Sequence, residues 1–343
     1  MKRGLKTCAG MMGRRIRVGG KSRRGRRVNG VLLLDKPAGM TSNGALQEAK
    51  KIYQAAKAGH TGSLDPLATG VLPICFGEAT KFSQFLLEAN KRYLATIKLG
   101  VVTTTGDADG EIVSVTDAFP EVSKGQLEVV LDKFRGVISQ VPSMYSALKV
   151  NGVPLYKLAR QGIEVERKSR RVTVFEMDMV SHERDEIVLN ILCSKGTYIR
   201  CLAEEIGQDL GCGAHVIELR RLESGAFDID ETCSLEVLRQ LRDSDGLSAL
   251  DGKLLPPSAA VTHWPSVQLT AVTASYLRQG QPVQTANAPT KGWVRIFSES
   301  DDSGMDTAGK DTAGEDTAGE SFVGIGEILE DGRIAPRRLV GMD

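Results

Sequence analysis

The chain has 343 residues, 41% of them hydrophobic and 25% charged, and its formal net charge is +1. These proportions are ordinary for a globular protein with a sizeable core and room for two domains. The longest uncharged stretch, 254–277, contains three prolines, which excludes a membrane-spanning helix of roughly 20 apolar residues. Six cysteines without a CxxC pair and four histidines exclude a clustered zinc site, so we expect no metal and reduced thiols in a cytoplasmic protein.

Two segments carry most of the charge asymmetry. Residues 1–28 contain eleven lysines or arginines and no acid, which predicts a basic, disordered arm suited to contacting a polyanion. A transit peptide and a start codon placed too far upstream are the alternatives. A pentapeptide repeat, 306–320, is small, polar and acidic. We expect it to form a disordered insertion over about 299–320, because it has little to bury against the entropy of ordering.

The segment 29–257 alternates between strand and helix patterns. Strands are predicted at 31–34, 93–99 and 187–193, and the segment 71–74 is expected to be buried. Helices are predicted after a cap at Thr41, Ser42 or Asn43, over 79–87, around 127–134, and from Thr197 to near Gly211. A turn is expected at 151–152. The irregular alternation favours a mixed α/β or α+β domain over a doubly wound parallel sheet.

The pattern changes after a predicted linker at 256–258. Short β segments follow at 267–269, 293–297, 322–329 and 333–340. This spacing predicts a second, small and mostly β domain over 264–343, interrupted by the acidic repeat.

The most informative segment is the loop 59–70, which holds Asp65 among three glycines and Pro66. Glycine and proline at this density indicate irregular backbone, and Pro66 biases Asp65 away from helical geometry. A lone Asp-Pro pair more often caps a turn. An acid in a rigid loop between packed elements is also how active sites are commonly presented.

This loop resembles the catalytic loop of the TruB family of tRNA pseudouridine synthases. Further strings resemble the family in the same order along the chain: 31–37, 91–93, 100–110, 141–149, 195–200 and 215–222. The end of the chain, 324–340, is similar to a PUA domain, an RNA-binding module. The resemblance implies a pseudouridine synthase catalytic domain with a large mixed or antiparallel sheet, followed by a PUA-like domain.

The resemblance also implies roles for seven side chains. Asp65 would attack C1′ of the target uridine or assist proton removal at C2′, and both routes stay open. Arg200 would pair with Asp65 and favour its ionised form. Tyr93 would stack on the base and help to remove its C5 proton. Tyr198 and Leu219 would form the walls of the base pocket, and His60 would fill the space left by the flipped base. Lys36 would support the loop or a phosphate.

The expected activity is therefore conversion of uridine to pseudouridine at position 55 in the T-arm of tRNA. No cofactor, metal or protein partner is expected, and a monomer is expected. One alternative is a non-catalytic tRNA-binding or tRNA-folding protein. The other is a glycoside hydrolase, in which Asp107 or Asp109 would supply the second carboxylate about 5–10 Å from the first.

Overall fold

The computed structural model describes residues 25–116, 122–299 and 320–341. Two predicted segments lie outside the described residues. They are the basic arm as far as residue 24 and the acidic insertion from 300 to 319. The first half of the fold contains β1 Gly30–Lys36, α1 Ser42–Ile52, β2 Ala58–His60, β3 Thr69–Phe76, α2 Ser83–Glu88, β4 Lys91–Leu99, β5 Val101–Thr103, β6 Ile112–Val115, α3 Lys124–Asp132, β7 Gly136–Gln140, β8 Lys149–Val150, β9 Val153–Pro154 and α4 Leu155–Ala159. The second half contains β10 Arg170–Glu183, β11 Glu186–Cys193, α5 Ile199–Asp209, β12 Ala214–Ser224, β13 Phe227–Asp228, β14 Cys233–Ser234, α6 Leu235–Asp251, β15 Ser266–Leu269, α7 Ala271–Arg278, β16 Gly292–Glu299, β17 Glu320–Ile328 and β18 Ile334–Leu339.

A ten-stranded sheet forms the larger part of the molecule. Its main path runs β14-β1-β3-β12-β4-β11-β10-β7, with β2 beside β3 and β13 beside β12. The pairs β1–β14 and β3–β12 are parallel, and the other pairs are antiparallel. This confirms the predicted mixed α and β fold with one large mixed sheet.

The main hydrophobic core lies between this sheet and the helices α1, α3, α5 and α6. Helix α1 shows how the sequence builds it. The Thr41 side chain accepts a hydrogen bond from the backbone N–H of Gly44 and caps the helix. Ala45, Ala49 and Ile52 recur at helical spacing and are buried. The predicted helix and its cap are therefore confirmed.

The predicted helix over 79–87 is wrong in detail. A 3-10 helix, Gly77–Lys81, comes first and α2 follows it after Phe82. The Phe82 side chain is fully buried, and its ring centroid lies 5.4 Å from that of Phe322 in the second sheet. The backbone breaks here because this ring packs toward the second sheet.

The second sheet is four-stranded, in the order β15-β16-β17-β18. Its strands match the predicted β segments near the end of the chain. A second core joins it to the first sheet, since Val31, Val71 and Cys75 pack with Phe297 and Phe322. The predicted linker at 256–258 is part of this packing: it runs into a 3-10 helix, Pro257–Val261, whose last two residues are buried. The two sheets therefore share a core and are not separated by a free tether.

Ordered packing also begins earlier than predicted. The guanidinium of Arg26 donates two hydrogen bonds of 2.6 Å to the carboxylate of Asp251. Val28 is only 5% exposed. The last residues of the predicted arm, from Gly25 onward, therefore belong to the folded body.

This boundary gives a test by paired truncation. Deleting residues 1–24 should leave the melting temperature unchanged. Deleting 1–28 should lower it by roughly 4 °C, because it also removes the buried Val28 side chain and the Arg26–Asp251 pair. Differential scanning calorimetry of the two truncated proteins would measure the difference, and equal melting temperatures would show that 25–28 adds nothing to the fold.

Candidate active site

The loop that carries Asp65 joins β2 to β3 near the middle of the large sheet. Its backbone is anchored on both sides of the carboxylate. The Ser42 hydroxyl donates to the carbonyl of Leu64 at 3.0 Å and accepts from the Leu64 N–H at 2.7 Å. The N–H of Gly39 donates to the carbonyl of Pro66 at 2.9 Å. These bonds fix the direction in which the Asp65 side chain leaves the loop.

Asp65 and Arg200 form an ion pair, with Nε of Arg200 2.9 Å from Oδ2 of Asp65. The Arg200 side chain is 5% exposed and that of Asp65 is 37% exposed. Arg200 also donates to the backbone carbonyls of Thr105 at 2.8 Å and Tyr145 at 3.1 Å. The cation is therefore buried and held by several acceptors, while the carboxylate reaches solvent and is free to meet a substrate.

A second carboxylate holds the far side of the same guanidinium. Oδ2 of Asp107 lies 3.2 Å from Nη1 of Arg200, and the Asp107 side chain is 5% exposed. Asp107 also accepts from the Thr105 hydroxyl and from the N–H of Asp109. Because its oxygens are occupied and buried, Asp107 orients Arg200 and is poorly placed to act on a sugar.

The pKa of Asp65 is raised above its ordinary value. Burial is the main cause, Arg200 opposes the rise, and Asp107 and Asp109 add to it. The ionised form that a nucleophile or base needs at neutral pH thus depends on the guanidinium of Arg200.

Lys36 lies beneath the loop and is fully buried. Its ammonium donates to the carbonyls of Met40 at 2.6 Å, Pro37 at 2.8 Å and Pro66 at 3.3 Å. Burial lowers the pKa of Lys36 to about 8, against the attraction of Asp65. All three donors of the ammonium are engaged, so this geometry favours loop support over phosphate binding.

The predicted base-contacting residues lie around this pair. Tyr93 on β4 is half-buried, and Leu219 on β12 is 7% exposed and lies opposite Ala95 of β4. Both side chains pack against the main core, on the same face of the sheet. Tyr198 precedes α5, and its backbone exchanges two hydrogen bonds with the side chain of Gln140. The roles assigned to these side chains remain predictions.

His60 lies at the end of β2, opposite Ile74 of β3. Its Nδ1 is buried without a hydrogen-bond partner in the described part of the chain. Burial lowers the pKa of His60, and the nearby charge of Arg221 adds to the effect. His60 is therefore neutral at physiological pH.

Two parts of the site were not predicted from the sequence. Asp107 was considered only as a second acid for glycoside hydrolysis, whereas the structure makes it the second partner of Arg200. Arg221 was not singled out, yet its side chain is among the largest fully buried ones. A signal was present: Arg221 follows the core residue Leu219 by two positions, so a strand places both on the buried face.

Neither a metal centre nor a membrane span is seen in the described ranges. No group of three His, Cys, Asp or Glu side chains there is placed to hold a metal ion. None of the helices there is long and apolar enough to cross a membrane.

Three family models match the chain in succession. Residues 50–199 match the TruB family pseudouridylate synthase N-terminal domain, and 200–262 match the tRNA pseudouridylate synthase B C-terminal domain. Residues 265–303 and 317–340 match the pseudouridine synthase II TruB C-terminal model, with a gap that falls in the acidic segment. The fold, the loop-borne carboxylate and these matches define an enzyme of the pseudouridine synthase class.

Relatives of known sequence cover most of the chain. A tRNA pseudouridine synthase B of Coxiella burnetii (strain RSA 331 / Henzerling II) is 53% identical over 92% of this chain and 96% of its own length. One of Pseudomonas aeruginosa (strain UCBPP-PA14) is 50% identical over 92% of this chain and 97% of its own length. The chain belongs to the TruB family of pseudouridylate synthases.

Solved structures agree with the fold. A chain of a Cbf5–Nop10–Gar1 complex is 28% identical, with a TM-score of 0.63 over 88% of this chain and 78% of that chain. A chain of an H/ACA RNP bound to a substrate RNA containing 2′-deoxyuridine is 25% identical, with a TM-score of 0.64 over 90% of this chain and 84% of that chain.

Proposed function

We propose that this enzyme converts uridine to pseudouridine at position 55 in the T-arm of tRNA, with Asp65 as the essential carboxylate. The observation that supports this most strongly is the ion pair in which a partly exposed Asp65 meets a buried Arg200. The names of the Coxiella and Pseudomonas relatives support tRNA as the substrate.

The reaction breaks the N1–C1′ bond of the uridine, rotates the base and joins its C5 to C1′. Asp65 attacks C1′ or removes a proton at C2′, and in either case it must be ionised when the base departs. Arg200 favours that ionised form. Tyr93 stacks on the base and assists removal of the C5 proton, which must leave before the product is complete.

A uridine inside a folded tRNA arm has to be flipped out before it can reach this carboxylate, at the expense of a few kcal/mol. In our proposal Tyr198 and Leu219 receive the flipped base, and neutral His60 occupies the space that it leaves. The remaining recognition is of RNA shape, which is usual for folded RNA.

The same proposal assigns a role to each part of the chain. Residues 29–257 form the catalytic domain, and 264–343 form a PUA-like domain that binds RNA. The basic arm touches the RNA backbone. We propose that the enzyme acts as a cytoplasmic monomer without cofactor, metal or protein partner.

The direct test uses purified protein and an unmodified tRNA transcript. Mapping of pseudouridine should show one modified position, 55, and a transcript with cytidine at that position should stay unmodified. Pseudouridine at another position would refute the assignment of the site, and no pseudouridine would refute the activity.

The same reaction separates the two alternatives. A binding or folding protein would leave every uridine unchanged, whereas a glycoside hydrolase would release free uracil. An isomerase keeps the base attached to the chain, so we expect no uracil in the supernatant by mass spectrometry.

Chelation should leave the activity unchanged. No cluster of metal ligands is placed in the described ranges, and we therefore expect the reaction not to depend on a bound metal ion. Initial rates with and without EDTA should agree, provided that the tRNA is folded beforehand in magnesium. A loss that added zinc or manganese restores, without refolding of the tRNA, would contradict this expectation.

The basic arm should contribute to affinity mainly through salt-dependent contacts. Residues 1–24 contain nine lysines or arginines. Deleting them should weaken tRNA binding at low salt and flatten the plot of log K against log salt, because fewer counterions are released. Filter binding between about 50 and 200 mM salt would measure both changes, and an unchanged slope would show that the arm does not touch the RNA.

A further inference from the structure

Arg221 is a buried cation that has no role in the reaction proposed above. Its side chain is 1% exposed. Within the described residues it forms no ion pair with a carboxylate. Burying a guanidinium without an opposite charge is expensive. A fold keeps such a group when its charge or its donors are needed where it lies.

The donors of Arg221 hold both ends of the loop that carries Asp65. Its Nη2 donates to the carbonyl of Gly62 at 2.9 Å, where the loop begins. Its Nε donates to the carbonyl of Val71 at 2.7 Å, just after the loop ends. One planar group thus fixes the span that Asp65 occupies.

The strand register sets Arg221 directly between the loop and Tyr93. On β12 it lies opposite Gly70 of β3 on one side and Tyr93 of β4 on the other. The approach to β3 is close: a Cβ at Gly70 would lie 2.1 Å from the carbonyl oxygen of Arg221. Only a glycine fits there, so β3 and β12 pack closely at the position of Arg221.

Strand pairing places Arg221 directly opposite Tyr93, so the two side chains lie on the same face of the sheet and the charge of Arg221 acts on the Tyr93 side chain. Burial raises the pKa of Tyr93, and Arg221 is the main group that opposes the rise. A guanidinium can only donate hydrogen bonds. Toward Arg221 the Tyr93 oxygen can therefore only be the acceptor, and the nearby guanidinium favours negative charge on that oxygen.

We propose that Arg221 is a positioning residue that ties the Asp65 loop to Tyr93 and holds the Tyr93 oxygen ready to assist removal of the C5 proton. The proposal rests on the proposed function, in which Tyr93 contacts the flipped base. Arg221 does not touch the substrate. It acts through Tyr93 and through the loop backbone.

The test compares Arg221→Lys with wild type on tRNA whose target uridine carries hydrogen or deuterium at C5. Lysine keeps the charge but cannot span Gly62, Val71 and Tyr93 together. The single-turnover rate should fall about a hundredfold, in the range of a lost general acid–base contribution. The isotope effect should rise well above that of wild type, because C5 proton removal becomes the slow step.

A matched control, Arg135→Lys, alters an arginine that donates to the carbonyl of Met177 away from the site. It should change neither the single-turnover rate nor the isotope effect.

Tyr93→Phe provides the second measurement, and Arg221→Gln takes the place of Arg221→Lys in both measurements if the lysine variant does not fold. Tyr93→Phe should raise the isotope effect, and Arg221→Lys should add little further loss in that background, since residues acting together are not additive. An unchanged isotope effect in Tyr93→Phe, fully additive losses, or a near-normal rate in Arg221→Lys would overturn the proposal. Failure of wild type to make pseudouridine would instead reject the proposed function.

Discussion

Asp65→Asn should reduce turnover by several orders of magnitude while tRNA affinity stays within about tenfold. Asparagine is nearly isosteric, so the loop bonds made by Ser42 and Gly39 remain. The substitution removes the negative charge that the reaction needs at the sugar. We expect most of the affinity to come from contacts to the phosphate backbone, which the substitution does not touch.

Single-turnover isomerisation and filter binding on one preparation would measure both quantities. Asp109→Asn is the matched control, because Asp109 is exposed and close enough to affect the pKa of Asp65. It makes the same change of charge next to the site and should alter the rate only a few fold. A large loss in the control would favour a two-carboxylate mechanism. Near-normal turnover in Asp65→Asn would remove Asp65 from the mechanism.

The raised pKa of Asp65 also predicts the sign of a stability change. A carboxyl with a higher pKa in the folded state binds more protons there than in the unfolded chain, so the free energy of unfolding falls as pH rises from the ordinary value of 3.8 to the folded value. Above that window the ionised group costs stability. Asparagine resembles the protonated form, so at neutral pH Asp65→Asn should melt no lower than wild type, and its advantage should vanish in acid.

The loop around Asp65 could be predicted from the sequence because its signals are local. Glycines, Pro66 and the apolar segments on either side suffice to define a loop around Asp65. The helix that begins after Thr41 was predicted for the same reason, since its cap and apolar spacing lie within a dozen residues. The catalytic role of Asp65 and the roles of Arg200 and Tyr93 were predicted through the family resemblance and not from local patterns.

The rest of the site depends on contacts between distant parts of the chain. Arg221 donates hydrogen bonds to the carbonyls of Gly62 and Val71, about 150 residues away in the sequence. No local sequence pattern predicts such a pairing. Asp107 and Arg200 are likewise brought together only by the fold. The prolines at 256–257 suggested a linker because local composition cannot show that a second sheet packs against the residues that follow.

Apart from changes at Asp65 itself, Arg200→Met should be the most damaging substitution in the site. It removes the cation between Asp65 and Asp107 and leaves buried Asp107 without its ion-pair partner. Breaking a buried pair by removing one member costs about 3–5 kcal/mol, and we expect the lower end because Asp65 is partly exposed. The pKa of Asp65 should rise further, since Arg200 is the strongest group that opposes the rise.

The pH dependence separates this electrostatic role from simple loss of folding. With a higher pKa for Asp65, the acid limb of the single-turnover rate profile should move to higher pH in Arg200→Met. Arg200→Lys keeps the charge, so its acid limb should stay closer to wild type. Its rate should still fall, because one ammonium cannot reach Asp65, Asp107 and the Thr105 carbonyl in the geometry of the guanidinium. Adding Asp107→Asn to Arg200→Met should restore part of the melting temperature, because it removes the unpaired buried charge, but it should not restore the rate.

An acid limb that stays in place in Arg200→Met would mean that Arg200 does not control the ionisation of Asp65.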